Sequence, residues 1–112
     1  MKFYTFNQNN SGGSFDFDKN SGITHYVIIE AASKDDAIAK AERIGLYWDG
    51  CETGQDCDCC GDRWSTYCDE YDSPAIYGVP VEDAILEKDS LLWMKPNPEA
   101  CIHYADGTKK WV

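Results

Sequence analysis

The chain has no apolar run near the roughly 18 residues that a membrane-crossing helix needs, and no charged-then-apolar leader precedes its first strand-like segment. The first absence excludes a spanning helix. The second gives the expectation that the protein works in the compartment where it is made. Basic residues are scarce: 10 against 20 acidic ones, for a net charge of −10. They are scarcest between Asp49 and Asp72. There Asp49, Glu52, Asp56, Asp58, Asp62, Asp69, Glu70 and Asp72 face a single base, Arg63. Such a segment repels phosphate backbones, so nucleic acid is not expected as a direct ligand, while a basic protein surface is attracted. The plainer reading of the same acids is a solvated face that keeps the protein dispersed. Catalytic arrangements are also lacking. No serine or cysteine is placed with a histidine as an activated nucleophile, and no carboxylate pair has surroundings that separate two pKa values. The chain is expected not to be an enzyme.

What is present begins with aromatics. They make up 13% of 112 residues, which argues for a folded chain. Without repeats or a linker, residues 1–112 read as one domain. Lys2 to Phe6 is aromatic and β-branched, hence a strand. Asn7 to Ser14 is a loop with nothing to pack a core, and its glycine amides are a possible anion cradle without the lysine and helix of a P-loop. Phe15 to Asp18 alternates as a short strand. Ile23 to Ala31 is apolar on both faces, as a central strand would be. Ser33 caps a helix whose Ala37, Ile38, Ala41 and Ile44 recur at helical spacing until Gly45 stops it. Ser65 to Tyr71 reads as loop, Ala75 to Val79 as a strand closed by Pro80, and Val81 to Lys88 as helix-forming. Asp106-Gly107 marks a two-residue hairpin between Ala100–Tyr104 and Thr108–Val112. The expectation is an α+β fold: a small antiparallel sheet, one main helix across it and a zinc-stabilised loop after the helix.

That loop is Gly50 to Trp64, which holds Cys51, Cys57, Cys59 and Cys60 of the six cysteines. Cys57, Cys60 and Gly61 have the C-x-x-C-G shape of a zinc knuckle, in which two thiolates grip one ion and the glycine closes the turn beneath it. Closely spaced thiols in a reducing compartment point to metal more than to disulfides. The stretch has almost no apolar residues, so an ion would stand in for a core. Cys51, Cys57 and Cys60 are the expected ligands, with Cys59 nearest as the fourth. Adjacent cysteines do not readily face one ion, so His103, Cys101, Cys68 or His25 are the alternatives. Cys101 and His103 would share one strand face. His25, on an apolar strand face, reads first as a satisfied core histidine. A redox C-x-x-C is disfavoured because no helix follows Cys60 to lower a thiol pKa. Arg63-Trp64 pairs two residue types enriched in interface hot spots and is the expected partner contact, together with Asn10, Ser11, Gly12 and Gly13.

Met1 to Phe15 with its Asn-Asn-Ser-Gly-Gly-Ser-Phe stretch, His25 to Ala31, and Gly-Cys-x5-Cys-x-Cys-Cys-Gly-Asp-Arg-Trp together resemble a family of small proteins encoded by tailed bacteriophages. The likeness covers residues 1–78 and 103–107. It implies a phage product in the host bacterial cytoplasm and supplies no catalytic residues. The function expected is therefore an accessory protein with structural zinc that binds and modulates a protein in the infected cell, in host takeover or counter-defence. Three alternatives remain open. A DNA mimic would occupy a nucleic-acid-binding protein. A small-ligand protein would bind or sequester a nucleotide. A minor virion component would be found in purified particles.

Overall fold

The computed structural model describes residues 1–9, 17–54, 62–76, 78–86 and 99–112. A five-stranded sheet organises them, with β1 (Lys2–Asn7), β2 (Tyr26–Ala31), β3 (Asp69–Tyr71), β6 (Ala100–His103) and β7 (Lys109–Trp111) in the order β3-β1-β2-β6-β7. A separate two-stranded hairpin joins β4 (Ala75–Ile76) to β5 (Val79–Pro80). The helices are α1 (Lys34–Ile44), α2 (Gly50–Thr53) and α3 (Val81–Leu86).

The fold is α+β with one main helix, as expected, but the sheet is mixed and not antiparallel. β2 and β6 run parallel, with Val27 opposite Cys101 and Ile29 opposite His103. The hairpin signal at Asp106-Gly107 dictates how β6 and β7 pair with each other. It says nothing about the direction in which the finished hairpin docks on β2, which is settled by contacts over 70 residues apart in sequence.

β2 is central and buries side chains on both faces. On one face Tyr4, Phe6, Val27, Ile29 and Ala31 pack against Ala37 and Ala41 of α1, with Leu46 and Trp64 closing the layer. On the other, Phe3, Tyr26, Ile28, Ala100 and Ile102 pack against Ile76 and Val81. Truncating a fully buried aromatic such as Phe6 therefore costs about 3–5 kcal/mol.

Ser33 caps α1 as its sequence position implies: its Oγ accepts from the Asp36 N–H at 3.2 Å, while Asp36 reaches back to accept from the Ala32 N–H at 3.3 Å. This reciprocal arrangement satisfies two otherwise orphaned donors. Gly45, at φ 127°, stops the helix in a conformation that a side chain disfavours and returns its N–H to the Ala41 carbonyl. Trp48 then lies against the Phe6 ring, centroids 5.8 Å apart, and donates Nε1–H to Glu42 at 2.7 Å.

Several expectations are corrected. The strand read over Ile23 to Ala31 begins only at Tyr26; Ile23 makes an isolated bridge to Asp18, and Thr24-His25 bend between them. The loop read over Ser65 to Tyr71 contains β3, whose acidic side chains hide its pairing with β1. Ala75 to Val79 is not one strand but parts of two, β4 and β5, which pair antiparallel, with Gly78 at φ 81° before β5. The C-terminal turn is longer than two residues. Gly107 N–H returns to Tyr104, and the Tyr104 N–H to Thr108, so Gly107 (φ 91°) follows the turn as a bulge residue. Residues 10–16, and with them most of the Asn-rich loop and Phe15-Asp16, lie outside the described residues, as does Leu91 to Met94.

Candidate functional site

Both ends of the cysteine stretch are fastened to the sheet. Asp49 enters α2 in a left-handed conformation at φ 55°, which aspartate tolerates better than most residues. The Cys51 backbone N–H donates to Asp62 Oδ1 at 2.9 Å and so ties the stretch's start to its end. Asp62 to Trp64 then runs beside the end of β1. The Asn9 N–H donates to the Arg63 carbonyl at 2.8 Å, and Asn9 Nδ2 to the Asp62 carbonyl at 3.3 Å. Cys57, Cys59 and Cys60, the remaining expected zinc ligands, lie outside the described residues, as do Asn10, Ser11, Gly12 and Gly13.

Gln8 is the residue that sequence reading misses. It sits in a stretch with no core-forming residues, yet it is fully buried. Its N–H donates to the His25 carbonyl at 2.9 Å, its Nε2 to the Thr24 carbonyl at 3.0 Å, and its Oε1 accepts from Arg63 at 3.1 Å. Those bonds make burial of an amide tolerable. They also overturn one expectation. Arg63 is 7% exposed and Trp64 2% exposed, so this pair is a core anchor and not a surface patch. No periodicity could have flagged a lone glutamine between β1 and a glycine-rich loop.

The alternative fourth ligands are spread over the molecule. His25 is buried, meets the Phe17 ring edge-on at 4.7 Å, and accepts the Glu99 N–H at Nδ1, 3.0 Å away. This is a satisfied buried histidine, although it sits in the bend before β2 and not on the strand expected from the sequence. Cys68 packs beneath β1 and β3 with the α1-side core, and burial pushes its thiol pKa up. Cys101 and His103 do share a face of β6, beside Gly22. His103 Nε2 donates to the Gly22 carbonyl at 2.9 Å, since a carbonyl can only accept. Burial pushes the Cys101 thiol up to about 11 and the His103 imidazole down. An activated thiolate–imidazolium pair needs both shifts reversed. Among the described residues no three of His, Cys, Asp and Glu come together as metal ligands, and Cys51 with Asp62 beside it is what they contribute to the cysteine stretch.

Among the described residues, two cavities lie against the sheet. The first, about 330 Å³, is lined by Thr5, Asn7, Tyr26, Ser65, Tyr67, Asp69 and Ile76 where β3 meets β1. Thr5 Oγ1 donates to the Ala75 carbonyl at 2.6 Å. Tyr67 is 73% exposed, and its hydroxyl donates to Asp69 at 3.2 Å, which raises the phenol pKa. The second, about 270 Å³, lies between α1 and the β6–β7 hairpin and includes Lys40, Arg43, His103 and Lys109.

A family described as a domain of unknown function, DUF7296, matches the chain over residues 1–112. The chain belongs to this family. No curated protein and no solved structure matches it. Membership in DUF7296 extends through residues 79–101, which the sequence likeness leaves unassigned.

The DUF7296 chain thus presents a sheet edge of one character and a cavity of another. At β3, Glu70 and Asp72 are exposed and Asp69 half-buried, beside the exposed Tyr67 ring. Glu70 also accepts the Tyr4 hydroxyl at 2.8 Å, and Lys2 pairs with Asp72. Edge strands offer unpaired backbone groups to another chain. This one carries acids and an aromatic together.

Proposed function

We propose that this protein acts by binding, without catalysing a reaction, as a phage-encoded accessory factor that docks on and modulates a protein of the infected cell, in host takeover or counter-defence. The observation that carries the reading is the β3 edge: Asp69, Glu70 and Asp72 with the exposed Tyr67 ring, at the end strand of the sheet among the described residues. Tyrosine is enriched where partners meet, and a row of acids favours a basic partner and speeds its approach. An extended partner segment would add main-chain hydrogen bonds along β3. The phage setting rests on the sequence likeness.

Structural zinc remains part of the proposal, held by Cys51, Cys57, Cys60 and one further ligand. The ion would supply no chemistry beyond tying the loop between Cys51 and Asp62 to the β1 end of the sheet. Metal analysis of protein purified without added zinc tests it. About one zinc per chain is expected, and none would remove the ion from the account.

The binding reading is tested by capturing partners from infected cells with the wild-type chain and with Tyr67→Ala/Asp72→Lys. Both side chains are exposed, so the variant is expected to fold and to lose the captured protein. Competition by DNA would redirect the reading to mimicry of a nucleic acid.

A further inference from the structure

Basic side chains are few here, and several described ones have carboxylate company. Lys2 pairs with Asp72, Lys19 with Glu99 at 3.0 Å, and Lys110 with Glu82 at 2.9 Å. Arg43 and Lys109 have no such partner among the described residues, and both line the same cavity. Each has a plain explanation alone. Arg43 suits the last turn of α1, where the helix dipole favours a cation. Lys109 suits an edge strand, which lysine protects from unwanted pairing. Neither explains why they converge with Lys40 over a floor made by Ile29, Ile44 and His103.

No carboxylate lines this space among the described residues. The acids behind its rim are already engaged. Glu30 accepts the Ala105 N–H at 2.9 Å, Asp36 pairs with Lys40 at 3.4 Å, and Asp106 accepts from the Thr108 N–H at 2.9 Å and hydroxyl at 2.6 Å. The acidic β3 edge stands at the opposite end of the sheet. Charges more than ~8 Å away are largely screened at physiological salt, so the acids of the β3 edge do not govern this site. A volume of about 270 Å³ exceeds the ~30 Å³ share of one water several-fold and suits a small organic anion.

We propose that the cavity between the end of α1 and the β6–β7 hairpin binds the phosphoryl group of a small phosphate monoester through Arg43, Lys109 and Lys40. The guanidinium of Arg43 supplies the two-pronged donor that phosphate oxygens accept, and the lysines supply point charges on either side. The site is independent of the partner edge at β3.

The test is NMR titration of the whole chain with inorganic phosphate, a nucleoside 5′-monophosphate, the unphosphorylated nucleoside and a phosphoserine peptide. The monophosphate should move the His103 ring signals, and the nucleoside should not. Matching affinity for inorganic phosphate would mean that the phosphoryl group alone is read. Tighter monophosphate binding would mean that the organic body adds contacts. Arg43→Ala and Lys109→Ala should each weaken binding about tenfold or more, the usual loss for a charge-assisted hydrogen bond. Lys34→Ala, away from the cavity, should not. Unmoved His103 signals, variants that titrate like the wild type, or a peptide that binds tenfold tighter than the monophosphate would overturn the proposal.

Discussion

Gln8 shows what one side chain can carry. It holds the Thr24-His25 bend, the Arg63 segment and the end of β1 in one hydrogen-bonded node. Gln8→Ala removes the buried bonds to the Thr24 carbonyl and from the Arg63 guanidinium. It should cost about 2–3 kcal/mol in denaturant unfolding. Gly22 carries a different load. A Cβ there would lie 2.5 Å from His103 Cε1 and 2.9 Å from Cys101 Sγ, and the backbone has φ +78°. Gly22→Ala should therefore destabilise by about 2–4 kcal/mol, through strain and overpacking together. His103 adds a pH dependence. Burial lowers its pKa in the folded chain, so the unfolded chain binds the proton more readily. Its contribution to stability is complete above the ordinary histidine value of 6.5 and is lost as pH falls through and below it. Replacing His103 with Gln should flatten that part of the profile of melting temperature against pH. Cys101, with its thiol held up to about 11, should resist alkylation at pH 8 until the chain unfolds.

At the scale of elements, what is local in sequence is legible and what is not local is hidden. α1 announces its Ser33 cap, its Ala37 and Ala41 face and its Gly45 stop, and all appear where expected. Ser33→Ala should cost about 1 kcal/mol, read as a lower urea midpoint with unchanged slope. β1 and the C-terminal hairpin are equally local, and only the turn length at Gly107 differs. The parallel β2–β6 pair could not be read, because no residue in either strand encodes the direction of a partner some 70 positions away. β3 was hidden because Asp69 and Glu70 carry the signature of a loop while occupying the end strand of the described sheet, with Glu70 exposed. Gln8 and Arg63 were hidden because buried polar pairs have no period. Of the zinc ligands expected within the cysteine stretch, Cys51 is the one among the described residues. If zinc holds that stretch, chelation should speed amide exchange at Gly50–Thr53 and Asp62 well before it affects Tyr26–Ala31.

For the whole molecule, charge is segregated by place. The acidic β3 edge and the cationic cavity by β7 occupy opposite ends of one sheet, so the two proposed ligands, a protein and a phosphorylated small molecule, would not compete. The central claim is that the β3 edge is the surface the protein works through. The most direct measurement is quantitative capture from infected cells, wild type beside Tyr67→Ala/Asp72→Lys, with melting temperatures taken on the same preparations. A protein should be retained by the wild type, released by high salt, and lost from a variant that melts at the same temperature. Equal retention by both chains would contradict the claim.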